Sequence, residues 1–74
     1  MKRYYKVREV AKIVGILPHT LRYWESEFGK LHHKRSNSGE RLYTQKKIDL
    51  IKRIYGMRYD QFIGIKGIKK LLEL

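Results

Sequence analysis

The chain has 74 residues, no cysteine, and 18 Lys and Arg against 7 Asp and Glu, which gives a formal charge of +11. Its length suits one small domain, the absence of cysteine excludes disulfides and thiolate metal sites, and the short apolar runs exclude a membrane span. The positive charge predicts a polyanionic partner, nucleic acid in preference to anionic lipid. Because Met1-Lys2-Arg3 is not followed by the apolar stretch of a secretion signal, we expect a cytoplasmic protein.

The N-terminal segment predicts a short strand followed by a helix. Tyr4-Tyr5-Lys6 forms the strand or an extended lead-in, the helix covers residues 7–14, and Gly15 breaks the chain after it. The buried stripe of this helix comprises Val7, Val10, Ala11 and Val14, with Arg8 and Lys12 on the outside.

A second helix with two chemically different faces is predicted next. It runs from Pro18, a residue favoured at the first helical position, to about Phe28, and Gly29 ends it. At about 100° per residue, apolar side chains share one face and polar side chains the other. The apolar face carries Leu21, Trp24 and Phe28, and the polar face carries His19, Arg22, Tyr23 and Ser26. A helix, a glycine turn and a second helix with a cationic outer face outline a helix-turn-helix DNA reader.

The segment 34–43 predicts a small β-hairpin. Polar turn residues over Ser36–Glu40 separate basic and β-favouring ends. Beside a helix-turn-helix, a basic hairpin acts as a wing. Because a two-stranded hairpin alone is only marginally stable, we expect Leu42 and Tyr43 to anchor it to the core.

Two further helices complete the prediction. Thr44 is the expected N-cap of a third helix that runs to about Tyr59. Its two apolar stripes are Ile48, Ile51, Tyr55 and Tyr59 on one side and Leu50, Ile54 and Met57 on another. Lys46 and Lys47 in its first turn oppose the helix dipole, a penalty that a bound phosphate would offset. After a break at Phe62-Ile63-Gly64, a short last helix buries Ile65, Ile68 and Leu72 and exposes Lys66, Lys69 and Lys70.

Three motifs together resemble a known family. Pro18-x-Thr20-Leu21-Arg22-Tyr23-Trp24-Glu25, Gly39-x-Arg41-x-Tyr43 and the run from Ile65 to Leu72 are similar to the winged-helix DNA-binding domain of MerR-family transcriptional regulators. The resemblance extends from about Tyr5 to Leu72. It implies a mainly α, winged helix-turn-helix fold of about four helices with a small β-hairpin wing, occupying residues 1–74 as one domain.

The resemblance also implies a function and partners. A bacterial transcription factor of this family binds double-stranded DNA, with the second helix in the major groove and the wing on the flanking backbone. The family dimerises through a long C-terminal helix, and the dimerisation and effector regions are absent from these 74 residues. The homodimer and RNA polymerase at the promoter are the protein partners that it implies.

The sequence departs from the family pattern at two positions. Leu17 stands where Ser or Thr often caps the second helix, so that helix is expected to lack a side-chain cap. Glu40 stands in the wing where an aromatic residue is frequent, and its carboxylate would repel phosphate unless it pairs with Arg41 or Arg35.

The residues predicted to contact DNA lie on the second helix, the wing and the start of the third helix. They are His19, Thr20, Arg22, Tyr23, Lys34, Arg35, Arg41, Tyr43 and Lys46. His19 and Thr20 occupy the first helical turn, where base edges are usually met, and Arg22 suits a phosphate or a bidentate contact to guanine. Alternatively, Arg22 is an ordinary solvated side chain or one paired with Ser26 or Glu25. Tyr23 would donate to a phosphate or, alternatively, lie partly buried under the wing. For Trp24 and Phe28, helical spacing favours core packing over base stacking.

Other function classes find less support. No paired carboxylates, phosphate loop or nucleophile–base pair is recognisable, so we expect neither an enzyme nor a cofactor. His19 is distant in sequence from His32 and His33, which argues against a metal site. The alternatives are an excisionase-like or chromosome-architectural DNA-binding protein, and a basic adaptor that docks a protein or an anionic membrane through its last helix.

Overall fold

The computed structural model describes residues 4–31, 34–39 and 41–73, with the backbone alone at positions 30, 34 and 35. Its helices are α1 (Val7–Val14), α2 (Pro18–Glu27), α3 (Gln45–Tyr55) and α4 (Ile65–Glu73), and its strands are β1 (Tyr5–Lys6), β2 (Lys34–Arg35) and β3 (Arg41–Tyr43). A 3-10 turn spans Gly29–Leu31 and a π-helical turn spans Gly56–Asp60. This confirms the mainly α, winged helix-turn-helix fold. Within the described ranges, the helices are all too short or too polar to cross a bilayer.

The turn between α1 and α2 depends on a left-handed glycine. Gly15 has a φ of 88°, and its amide donates to the carbonyl of Ala11 at 2.8 Å. Other residues are strained in this conformation, whereas glycine adopts it freely and so ends a helix well. The predicted bounds of α1 are confirmed, and α2 ends at Glu27, one residue earlier than predicted.

One core holds the helices together. Leu21, Trp24 and Phe28 are buried as predicted, and they pack in a cluster with α1, the 3-10 turn, β3, α3 and α4. The other buried members of this cluster are Val10, Leu31, Tyr43, Ile48, Ile51, Ile54, Ile68 and Leu72. Burial of each large apolar side chain contributes about 1.5–3 kcal/mol relative to exposure, so the stability of so small a domain depends on each of them.

The third helix begins as predicted but changes its winding. The amide of Lys47 donates to the hydroxyl of Thr44 at 3.3 Å, which confirms Thr44 as the N-cap. After Tyr55 the chain continues as a π turn to Asp60 rather than as α-helix to about Tyr59.

The two predicted stripes of this helix are therefore partly wrong. Ile54 joins Ile48 and Ile51 on the buried side, whereas Tyr59 is 44% exposed. A π turn holds more residues than an α turn, so the 100° spacing does not extend past Tyr55. The Tyr59 ring instead lies across Trp24 and Tyr55, with centroid separations of 6.2 and 4.9 Å.

The wing belongs to a three-stranded antiparallel sheet with the strand order β1-β3-β2. Tyr5 pairs with Tyr43 across β1 and β3, and Arg35 pairs with Arg41 across β2 and β3. The predicted hairpin is confirmed, and the amide of Gly39 closes its turn on the carbonyl of Ser36 at 2.9 Å. The lead-in is a strand whose pairing with β3 was not predicted. Glu40 lies outside the described residues.

Close packing at the start of α4 leaves no room for a side chain at Gly67. A Cβ added at Gly67 would lie 2.8 Å from Cγ2 of Ile63, which follows the left-handed Phe62 (φ 56°). Cγ2 branches directly from the Cβ of Ile63, so it yields only if this β-branched side chain leaves its χ1 rotamer or the backbone shifts. Gly64, by contrast, has nothing within 4 Å of such a Cβ.

We predict that Gly67→Ala lowers the free energy of unfolding by about 1–2 kcal/mol through overpacking, although alanine favours helix by about 0.5–1 kcal/mol. Urea denaturation followed by circular dichroism measures this change. The matched variant Gly64→Ala, which meets no such contact, should lose less stability than Gly67→Ala. Equal or greater stability of Gly67→Ala would contradict the close contact with Ile63.

Candidate nucleic-acid interface

The outer face of α2 is open to solvent. Burial of Leu21 and Trp24 sets the rotation of the helix, so His19, Arg22 and Tyr23 are all exposed on its other side. Tyr23 is 51% exposed, so it lies in the open rather than under the wing.

Thr20 and Ser26 are less available than their neighbours on α2. Thr20 is half-buried and lines an open cleft with Leu17, Tyr55 and Tyr59. The Ser26 hydroxyl donates to the carbonyl of Tyr23 at 2.6 Å, so it is turned toward its own helix. His19 is therefore the more accessible of the two predicted base readers.

Arg22 is the most available cation of this helix. Within the described ranges its guanidinium enters no hydrogen bond or ion pair. Its donors are therefore ready for a planar, bidentate acceptor such as guanine or phosphate.

The start of α2 lacks a side-chain cap, as predicted. Leu17 occupies the N-cap position with extended backbone (φ −76°, ψ 148°) and no capping hydrogen bond, and Pro18 follows it. The first turn of a helix leaves amides without intrahelical partners, and they favour an anion.

The predicted basic residues of the wing lie on two neighbouring strands, and that of α3 lies in its first turn. The backbone of Lys34 and Arg35 forms the outer strand β2 of the sheet. On the middle strand, the Arg41 side chain is 31% exposed. Lys46 is exposed in the first turn of α3, beside an open depression of about 400 Å³.

A buried carboxylate joins α2 to the wing. The side chain of Glu25 is only 8% exposed. The Tyr43 hydroxyl donates to its Oε1, and the Nε of Arg41 lies 3.4 Å from its Oε2. Arg41 and Tyr43 are two residues apart on β3, so both project from the same face of the strand.

The prediction that Tyr43 contacts DNA is wrong. Tyr43 is 0% exposed, and its hydroxyl is engaged by Glu25. Its predicted role as an anchor of the hairpin is confirmed by that burial. Desolvation, followed by the hydrogen bond and the negative charge of Glu25, raises the pKa of Tyr43 well above that of a free phenol, while Arg41 and Arg22 lower it less.

Glu25 is the residue that sequence reasoning missed. Two features of the sequence could have indicated its role. Glu25 is a carboxylate three positions after Arg22 in a strongly basic chain, and Arg41 and Tyr43 are two residues apart in the predicted hairpin, so that they share one face of a strand. Nothing in either motif alone indicates that the two meet.

Metal ligation finds no support among the described residues. In those ranges no three His, Cys, Asp or Glu side chains are grouped closely enough to hold an ion. His32 and His33 lie outside the described residues.

A helix-turn-helix with an exposed cationic second helix and an adjacent basic wing defines a class of DNA-binding proteins. Residues 5–74 match the MerR helix-turn-helix family of regulatory proteins, and the chain belongs to that family. The family is one of helix-turn-helix regulatory proteins, and relatives that match this chain are named as transcriptional regulators.

Three relatives illustrate the match. The transcriptional regulator ZntR of Escherichia coli K12 is 33% identical over 70 residues, which are 95% of this chain and 49% of ZntR. The regulator MlrA of the same strain is 35% identical over 69 residues, 93% of this chain and 28% of MlrA. The repressor CarH of Myxococcus xanthus is 28% identical over 71 residues, 96% of this chain and 23% of CarH. The chain thus spans about half of ZntR and less of the other two.

We predict that Tyr43 stays protonated until the domain unfolds. Tyrosinate absorbance, followed at alkaline pH with circular dichroism as the monitor of folding, should rise equally in wild type and Tyr43→Phe while both remain folded. Because the pKa of Tyr43 is raised in the folded state, its contribution to stability is complete below about pH 10 and is lost as the pH rises further.

The stability of wild type should consequently fall more steeply above about pH 10 than that of Tyr43→Phe. The contradicting result would be a lower tyrosinate absorbance of folded Tyr43→Phe, by the amount of one tyrosine, than of folded wild type. Tyr43 would then ionise in the folded protein, and its hydroxyl would not be buried against Glu25.

Proposed function

We propose that this chain is the operator-reading domain of a bacterial transcriptional regulator that acts in the cytoplasm, with α2 inserted into the major groove. The observation that carries the proposal is the division of α2 into a buried apolar face and an exposed face whose Arg22 enters no hydrogen bond or ion pair with the described residues. An α-helix fits the major groove, where each base pair presents a distinct pattern of donors and acceptors.

The residues of α2 are assigned by position and exposure. His19 and Thr20 in the first turn read base edges, and Arg22 contacts guanine or a phosphate. The exposed hydroxyl of Tyr23 donates to a phosphate. A further phosphate at the uncapped start of the helix would supply the acceptor that Leu17 lacks.

The wing and the start of α3 contact the DNA backbone that flanks the site bound by α2. Lys34 and Arg35 on the outer strand, with Arg41 on the middle strand, supply the cations of the wing. Lys46, exposed at the start of α3, extends the basic surface. Phosphate contacts of this kind set register and orientation, and the base contacts of α2 set the sequence.

The whole regulator binds its operator as a homodimer and acts on RNA polymerase at the promoter. This part of the proposal rests on family membership and on the greater length of the relatives, of which this domain matches 49% or less. Two copies joined outside the domain would read two half-sites, so the operator would be an inverted repeat.

In-vitro selection from a random duplex library tests the central claim. We expect one enriched sequence motif, and inverted half-sites if the protein used is dimeric. Tight binding without enrichment would instead favour an architectural DNA-binding role.

We predict a strong dependence of duplex binding on salt. A domain that neutralises about five phosphates should show a slope near −4 to −5 in a plot of log K against log salt concentration. Fluorescence anisotropy with the selected duplex measures the slope. A slope near zero would show that the +11 charge is not directed at a nucleic-acid backbone.

We predict that Arg22→Ala weakens binding to the selected duplex by about 1–3 kcal/mol and relaxes sequence preference. The matched control is Arg53→Ala, which removes the same charge from an exposed site beside Met57 and Leu71. The control should retain the preference of wild type for the selected duplex. Wild-type affinity in Arg22→Ala would show that α2 does not read DNA through this residue.

A further inference from the structure

Glu25 stands between the two parts of the proposed interface. It follows Arg22 by one helical turn on α2, and it contacts Tyr43 and Arg41 on β3. The backbone of α2 packs on α1 and the 3-10 turn, and that of β3 on β1, β2, α1 and α3. The carboxylate therefore forms a direct polar connection from the recognition helix to the wing strand.

An ionised carboxylate at this site is unfavourable because of desolvation unless residues of β3 pair with it. Oε2 of Glu25 and Nε of Arg41 are both shielded from solvent. Burial of a charge without a partner is strongly unfavourable, and a buried pair is weak evidence of stabilisation because desolvation opposes the attraction between the charges. The pair is therefore better explained by a role in positioning side chains than by a contribution to the stability of the fold.

The contact also determines which part of Arg41 faces outward. The Nε of Arg41 is buried 3.4 Å from Oε2 of Glu25, an ion-pair distance without a hydrogen bond between the two atoms, and the side chain as a whole remains 31% exposed. A guanidinium has five donors in a rigid planar fork. Because Nε is shielded from solvent, a phosphate would have to be contacted by the two terminal nitrogens.

We propose that Glu25 is a positioning residue for DNA binding, which fixes the wing relative to α2 and orients Arg41 so that Arg22 and Arg41 meet DNA together. This inference rests on the proposed function of the domain. Glu25 itself does not touch the DNA.

A purely electrostatic role and a positioning role of Glu25 predict opposite effects of Glu25→Gln on the affinity for DNA. The variant raises the formal charge of +11 by one unit, and by electrostatics alone it binds DNA more tightly. The amide keeps an acceptor for Tyr43 but lacks the charge that holds Arg41. If Glu25 positions Arg41, binding to the selected duplex becomes weaker despite the gain in charge.

The experiment compares Glu25→Gln with Glu27→Gln, which makes the same charge change on the same helix at a half-buried site. The probes are the duplex selected by wild type and a scrambled duplex of equal composition. We expect Glu25→Gln to bind the selected duplex about tenfold more weakly than wild type, with a salt slope shallower by about one unit. Glu27→Gln should bind both duplexes at least as tightly as wild type.

A double-mutant cycle identifies the route of the effect. In an Arg41→Ala background, Glu25→Gln should no longer weaken binding, because the group it orients is gone and only the gain in charge remains. Circular dichroism establishes that each variant is folded at the binding temperature. A merely structural role would lower the thermal midpoint but leave the salt slope and the affinity of the folded protein unchanged.

Should Glu25→Gln fail to fold, Arg41→Lys serves in its place. Lysine retains the charge but has no Nε to hold against Glu25, so the selected duplex should again bind about tenfold more weakly. Wild-type affinity in Arg41→Lys, tighter binding in Glu25→Gln, or additivity in the cycle would overturn the inference while duplex binding by wild type stands. Absence of salt-dependent binding by wild type would instead overturn the proposed function itself.

Discussion

The rotation of α2 about its own axis is set by Leu21 and Trp24, which are buried against the rest of the core. Since side chains on a helix are separated by about 100°, burial of these two determines where Arg22 and Tyr23 point. The core thus does more than stabilise a small domain, because it also sets the direction of the side chains proposed to read DNA. Tyr59 reinforces this setting by lying across the Trp24 ring.

Attraction to DNA and recognition of a sequence draw on different features of this domain. The excess of positive charge acts over long range and is indifferent to sequence. Discrimination needs a few donors held at fixed positions. In a chain with only 7 acidic residues, the burial of one of them between α2 and β3 indicates that geometry is maintained at the expense of unfavourable desolvation.

The elements that were predicted correctly are those specified by neighbouring residues. Apolar periodicity locates α1 and α2, Gly15 locates the turn, and Thr44 locates the start of α3, because each depends on contacts within a few positions. The hairpin follows from its turn residues for the same reason. The buried side of α2 is also evident from its pattern.

The errors concern relations between distant parts of the chain. Strand alternation places Arg41 and Tyr43 on one face of β3, but it does not say which face meets α2, and the prediction that Tyr43 contacts DNA is wrong for that reason. The contact with Glu25 joins residues 18 positions apart. The π turn after Tyr55 changes the period itself, and a constant helical period does not predict such a change.

The strand order of the small sheet has a consequence for the timing of folding. Because β3 lies between β1 and β2, the wing is not complete until the N-terminal strand returns to it. α1 and α2 form from local contacts, whereas the pairing of Tyr5 with Tyr43 must close a loop containing both helices. The sheet is therefore expected to form late and to open first, and its amides to exchange hydrogen sooner than those of the helical core.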